Sequence, residues 1–115
     1  MIDSDRKLLT EEVLGEIWKP GLVGLPYAFE GKKYSNRAFT TPQDSHNVCK
    51  ALMEKGKWRA FYYITKANYM ADVSHGFFDE YFFVAWLLIE SPERTCQLAV
   101  DFLKAIAAQK RIEEK

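Results

Sequence analysis

The densest run of hydrophobic positions lies between residues 58 and 89, where two aromatic-rich stretches, 58–65 and 81–89, flank a more polar middle. Short runs rich in aromatic and β-branched residues favour paired strands, so the pattern predicts a central hairpin of strands 57–65 and 80–89. In the second stretch both alternating sets of side chains are apolar. A strand of this kind must be covered on both faces.

The segment 42–55 carries apolar residues at intervals of three and four, which is the spacing of one helix face. It follows Thr41 and Pro42, and Asp44 stands three residues after the threonine. A hydroxyl at the cap, proline in the first turn and an acid three residues later are the marks of a helix start. Gly56 provides the left-handed residue that ends such a helix.

Two further helices are predicted by the same reasoning. Ser91 and a following proline open a helix over 92–110, which carries a broad apolar surface. A shorter amphipathic helix over 11–19 is expected to take Thr10 as its cap and to stop at Pro20.

Together these elements predict an α+β fold, a compact sandwich in which helices 11–19, 42–55 and 92–110 cover a small antiparallel sheet. The segment 22–29 is a candidate third edge strand, because its proline is tolerated only at an edge. An isolated hairpin is marginal in water, so a third strand or an intermolecular sheet is expected. The second face of the sheet must be covered by helix 11–19, by the segment before residue 40 or by a second copy of the chain, and the last alternative predicts a homodimer through the sheet. Residues 1–8 and 111–115 are expected to fray.

The composition supports one domain. The chain has 115 residues, 48% of them hydrophobic, which is enough for one core and too few for two. Sixteen basic residues balance sixteen acidic ones, and no apolar run approaches the roughly 20 residues needed to cross a bilayer. We therefore expect a cytoplasmic protein with no membrane contact. Cys49 and Cys96 lie among apolar helix positions and are expected to be reduced core residues.

Candidate catalytic and metal-binding residues are few. His46 and Cys49 are three residues apart and share a predicted helix face, but a core cysteine beside an exposed histidine explains the pair better than catalysis. Asp72, His75 and Asp79 lack the regular spacing of metal ligands. We expect no catalytic site, no metal and no cofactor.

The positive charge is concentrated in residues 30–70, which hold eight basic and three acidic residues, a surplus of five. Cations interleaved with aromatic rings are typical of surfaces that bind phosphates and bases. The candidate nucleic-acid residues are Lys32, Lys33, Arg37, Lys57, Trp58 and Arg59. A solvated basic face is the favoured interpretation, and nucleic-acid binding is the alternative.

The segment between the predicted strands, residues 66–79, is long for a hairpin connection. Loops of this length often carry function. Tyr69, Asp72 and His75 are its candidate functional residues.

The helix starts and core positions of LTEEVLGEIW, NRAFTTPQDSHNVCKALMEKGKW and SPERTCQLAVDFLKA resemble those of small phage and prophage proteins with an alpha-beta-alpha sandwich domain. The resemblance spans residues 10–105 and implies helices on both sheet faces and an accessory protein of bacterial or phage origin. No catalytic activity is established in that group. It carries over no functional residues. The sequence therefore predicts a non-enzymatic accessory or interaction protein with an unknown protein partner, and a weak nucleic-acid-binding module as the alternative.

Overall fold

A computed structural model describes residues 1–23, 26–72 and 78–114. The helices are α1 (Asp3–Leu8), α2 (Pro42–Glu54), α3 (Trp58–Asp72), α4 (Glu80–Ala85) and α5 (Pro92–Glu113). π-Helical turns continue α1 over Leu9–Val13 and α4 over Trp86–Glu90. The strands are β1 (Ile17–Trp18), β2 (Tyr27–Phe29) and β3 (Lys32–Ser35). The predicted α+β class is confirmed.

The sheet lies in the first third of the chain and has the order β1-β3-β2. β2 and β3 pair antiparallel through a tight turn at Glu30 and Gly31, both with positive φ (51° and 76°), as a two-residue hairpin turn requires. β1 runs parallel to β3, so the sheet is mixed and not antiparallel as predicted. The edge strand predicted within residues 22–29 is confirmed by β2.

The predicted hairpin of strands 57–65 and 80–89 is wrong, because both segments are helical. In α3 the buried residues are Phe61, Thr65 and Tyr69, which follow one another at intervals of four. The Thr65 hydroxyl lies 3.0 Å from the Phe61 carbonyl and 2.9 Å from the Tyr62 carbonyl, so its polar group is satisfied within the helix. Burial on one helix face outweighed the strand preference of the aromatic residues.

The second predicted strand forms α4 and its π-helical turn. Asp79 caps this helix by accepting a hydrogen bond from the Phe82 N–H at 3.2 Å. Phe83, Trp86 and Leu87 are buried at intervals of three and four, again a helical period. The doubly apolar strand that motivated a homodimer through the sheet is therefore a helix with a buried and an exposed side.

The helices predicted over 42–55 and 92–110 are confirmed as α2 and α5. α2 has the predicted capping box, in which the Thr41 hydroxyl accepts from the Asp44 N–H and the Asp44 carboxylate accepts from the Thr41 N–H. Ser91, predicted as the cap of α5, makes no capping hydrogen bond through its side chain. α5 continues to Glu113 and so includes residues 111–113, which were expected to fray.

The helix predicted over 11–19 is displaced toward the amino terminus. α1 begins at Asp3 within the segment expected to fray, and its π-helical turn ends before Gly15, whose φ of 68° stops the helix. Thr10 is fully buried and donates its hydroxyl hydrogen to the Arg6 carbonyl at 2.7 Å, so it is a residue inside the helix and not its cap.

The core lies between α2, α3, α5 and the turn 86–90, with the π-helical turn 9–13 at one side. α2 and α5 pack against each other and against these helical segments, and not on the sheet that was predicted to lie beneath them. Cys49 and Cys96 are free and buried, as predicted. Among the described residues, no helix has the length and apolar character needed to pass through a bilayer.

Candidate functional site

A groove of about 270 Å³ opens between α2 and the α4 segment. Its lining is almost entirely apolar, with two basic side chains at the margin. The lining residues are His46, Cys49, Lys50, Met53, Trp58, Val84, Leu87 and Leu88. A concave apolar surface of this size accommodates one or two anchoring side chains of a partner.

The two walls follow from helical spacing. On α2, His46, Cys49, Lys50 and Met53 stand at i, i+3, i+4 and i+7 and therefore share one face. On the opposite wall, Val84 and Leu88 are four residues apart. Tyr81 lies three residues before Val84 and extends the same face of α4.

The groove has a buried floor and an exposed rim. Cys49 and Leu87 are 3% and 2% exposed, whereas Met53 and Val84 are 51% and 41% exposed. Tyr81, on the same helix face, is 78% exposed. Single exposed apolar residues are common, but several beside one concave apolar surface make that surface a candidate interaction site.

Nucleophilic chemistry is not supported in this groove, although the predicted pair of His46 and Cys49 both line it. Burial raises the pKa of the Cys49 thiol to about 12. A thiol acts as a nucleophile in its deprotonated form, and activation requires a lowered pKa. Cys49 is therefore a neutral core side chain at the groove floor.

A buried polar centre joins the sheet to the start of α2. The Glu16 carboxylate, 8% exposed, accepts hydrogen bonds from Ser35 Oγ at 2.8 Å and from Arg37 Nε at 2.9 Å. Lys33 Nζ lies 3.2 Å from the same carboxylate, and Arg37 also faces Asp44 at 3.8 Å. Burial alone would raise the pKa of Glu16, but the hydrogen bonds from Arg37, Ser35 and Lys33 outweigh it and hold the pKa below its ordinary value of 4.5.

The six candidate nucleic-acid residues lie in two groups. Lys32 and Lys33 belong to β3 and Arg37 follows it, while the other three begin α3 or directly precede it: Lys57, Trp58 and Arg59. Arg37 is committed to Glu16, and the Trp58 ring packs against Phe61 at a centroid distance of 6.0 Å. Lys33 also pairs with Glu16, so three of the six side chains are engaged within the fold. Nucleic-acid binding stays a prediction.

The predicted functional loop is wrong over residues 66–72, which belong to α3. Tyr69 is a core residue, with its ring 5.4 Å from the Phe83 ring and 5.5 Å from the Trp86 ring. Asp72 pairs with Arg94 at 3.1 Å. His75 lies outside the described residues. Within the described part of the chain, no group of three or more His, Cys, Asp or Glu residues is arranged to hold a metal ion.

Comparison of the chain with protein-family models, curated proteins and solved structures gave no significant match. The resemblance to phage and prophage proteins therefore stays a prediction, and the site must be interpreted from its own geometry.

The groove could not be predicted while a strand was expected at residues 80–89. Strand alternation places Val84 and Leu88 on one face but Tyr81 and Leu87 on the other. The spacing Tyr81, Val84, Leu88 is also a helical face, and this was the available signal.

Proposed function

We propose that this chain is a non-enzymatic interaction module that binds an apolar segment of a protein partner in the groove between α2 and α4. The observation that carries the proposal is the exposed rim of Met53 and Val84 above a floor of Cys49 and Leu87. Anchors that fill a desolvated pocket dominate binding energy in protein interfaces. The high pKa of the floor thiol supports a binding role over catalysis.

An accessory role in a phage or prophage is part of the proposal and rests on the resemblance of the caps and core positions alone. The groove itself supports only the binding activity. Binding of an apolar partner segment needs an apolar lining and no catalytic group, which matches the lining of this groove.

The test is selection from a displayed library of randomised short peptides, followed by titration calorimetry of the selected peptides. Val84→Glu places a charge on the rim and is expected to weaken binding at least about tenfold, equivalent to ~1.4 kcal/mol. The matched control is Val23→Glu, the same change at a residue that is 92% exposed and outside the groove. It should leave the affinity within about twofold.

Failure to select any peptide, or equal affinity for the wild type and Val84→Glu, would refute the proposal. Light scattering of both proteins distinguishes a second copy as the occupant. A dimer that Val84→Glu converts to a monomer would show that the groove serves self-association.

A further inference from the structure

A second concave surface lies on the other side of α2. It has a volume of about 460 Å³ and is bounded by α2, β3 and the end of the first helical segment. Its floor is apolar and its margin is mostly cationic. The lining residues are Val13, Leu14, Lys33, Asn47, Lys50, Ala51, Glu54 and Lys55. We call this surface the lysine pocket.

α2 separates the groove from the lysine pocket, and Lys50 belongs to both. Each helical residue is rotated by about 100° from the one before, so Asn47, Glu54 and Lys55 face the lysine pocket while Cys49 and Met53 face the groove. Lys50 falls between the two faces, at the crest of the helix. A ligand crossing α2 would contact both surfaces and pass this ammonium group.

The charge of the lysine pocket is only partly neutralised by the fold. Lys50 and Lys55 form no ion pair within residues 1–23, 26–72 and 78–114, and Glu54 is the single acid in the lining. Lys33 is 52% exposed but pairs with Glu16 at 3.2 Å, so its charge is already met within the fold. Lys50 and Lys55 against Glu54 leave a surplus of one positive charge.

Asn47 adds a hydrogen-bond donor to these cations. Its side-chain carbonyl accepts from the Gln43 amide at 2.9 Å, so its NH₂ group is the part of the amide that can donate to a ligand. Ammonium groups and an amide donor together match a carboxylate, whose oxygens only accept.

We infer that the partner segment is acidic as well as apolar, with its apolar anchor in the groove and a carboxylate in the lysine pocket beside Lys50. This inference rests on the proposed function and names the chemistry of the partner. A helix with its side chains is about 10 Å across. An extended chain crosses that distance in about three residues, so the acid stands about three residues from the anchor.

The test repeats the peptide selection with Lys50→Glu/Lys55→Glu, and Lys33 is left intact because it contacts Glu16. Peptides selected on the wild type should carry Asp or Glu about three residues from an apolar anchor. The double variant should weaken their binding about tenfold, and the wild-type affinity should fall as salt is added. The control Lys7→Glu/Lys110→Glu makes the same charge change at exposed lysines outside both surfaces and should have less than a twofold effect.

A second double variant controls for a folding defect. Lys50→Gln/Lys55→Gln removes the two charges without reversing them and should weaken binding by a smaller factor in the same direction. Glu54→Gln removes the one acid of the pocket and should strengthen binding about twofold. Circular dichroism and the urea midpoint of each variant establish that the fold is retained.

The outcomes separate the two proposals. Selected peptides that lack an acidic excess, bind Lys50→Glu/Lys55→Glu as well as the wild type and are lost with Val84→Glu would overturn this inference and leave the groove function intact. Absence of any groove-dependent peptide would overturn both. An oligothymidylate probe that binds the wild type, fails to bind Lys50→Glu/Lys55→Glu and competes with the peptides would make nucleic acid the ligand and overturn the acidic-segment inference.

Discussion

Two regions of this molecule are stabilised by different interactions: the polar centre around Glu16 by hydrogen bonds and ion pairs, and the cluster around Phe83 by the packing of aromatic rings. Glu16 is satisfied by named donors, Ser35 and Arg37 among them, at 2.8 and 2.9 Å. Phe83 is fully buried against four aromatic rings, which stabilise it by apolar packing without any hydrogen-bond donor or charge. The charged groups of the polar centre pair with one another. The aromatic region also has apolar side chains that are not buried in the core, Tyr81 and Val84 among them.

Removal of the Phe83 ring should produce the largest loss of stability. Phe83→Ala deletes contacts with the rings of Tyr62, Tyr69, Phe78 and Trp86 and is expected to lower the free energy of unfolding by about 3–5 kcal/mol. The matched control is the preceding residue, because Phe82 is 59% exposed and Phe82→Ala should change the free energy by less than about 0.5 kcal/mol. Urea unfolding followed by circular dichroism measures both. Equal effects would mean that α4 does not present its two faces as described.

Substitutions in the polar centre should cause a smaller loss of stability, and this loss should depend on pH. Arg37→Met leaves the buried Glu16 carboxylate without its main partner and is expected to cost about 2–4 kcal/mol at neutral pH. Lys33→Met removes a half-exposed partner of the same carboxylate and should cost less than about 1 kcal/mol. Urea unfolding across a pH series measures the difference.

The direction of the pH effect follows from the lowered pKa of Glu16. A carboxyl whose folded pKa lies below its unfolded value stabilises the fold above the unfolded value, and this stabilisation is lost as pH falls through the folded pKa. The gap between wild type and Arg37→Met should therefore be full near neutrality and should shrink below the ordinary value of 4.5. A gap that stays constant into acid would show that Arg37 stabilises the protein through packing and not through charge.

The two regions also differ in how far the sequence could predict them. The capping box of α2 is visible in the sequence because Thr41, Pro42 and Asp44 act on a backbone only three residues away. The structure of residues 58–72 was harder to predict. Aromatic side chains favour strands, whereas the buried residues Phe61, Thr65 and Tyr69 follow a helical period. Propensity and periodicity disagreed there, and tertiary burial decided the outcome.

The polar centre and the groove both join elements that are distant in the sequence. Glu16 meets Ser35 and Arg37 across separations of 19 and 21 residues, and no spacing rule connects them. The groove needs α2 beside α4, and a strand at residues 80–89 would have moved Tyr81 to the opposite face from Val84. The surplus of basic residues over 30–70 could be counted from the sequence. The ion pair of Arg37 with Glu16, which removes one of these charges from the surface, could not be predicted.

α2 links the two regions, because Asp44 near its start faces Arg37 while Met53 near its end forms the groove rim. Thr41→Ala removes the hydroxyl that accepts from the Asp44 N–H at 3.2 Å and should lower the free energy of unfolding by about 1 kcal/mol. Thr40→Ala is the matched control, since Thr40 contacts Asp44 through its backbone N–H, which alanine retains, and the expected change is within about 0.5 kcal/mol.

Peptide binding should separate these roles further. Because the Thr41 cap stabilises the start of α2 and the groove uses residues from His46 onward, Thr41→Ala should leave the affinity of a selected peptide within about twofold while the urea midpoint falls. A large loss of affinity in Thr41→Ala, with none in Thr40→Ala, would show that the cap sets the position of the whole helix and that the polar centre and the groove are mechanically coupled.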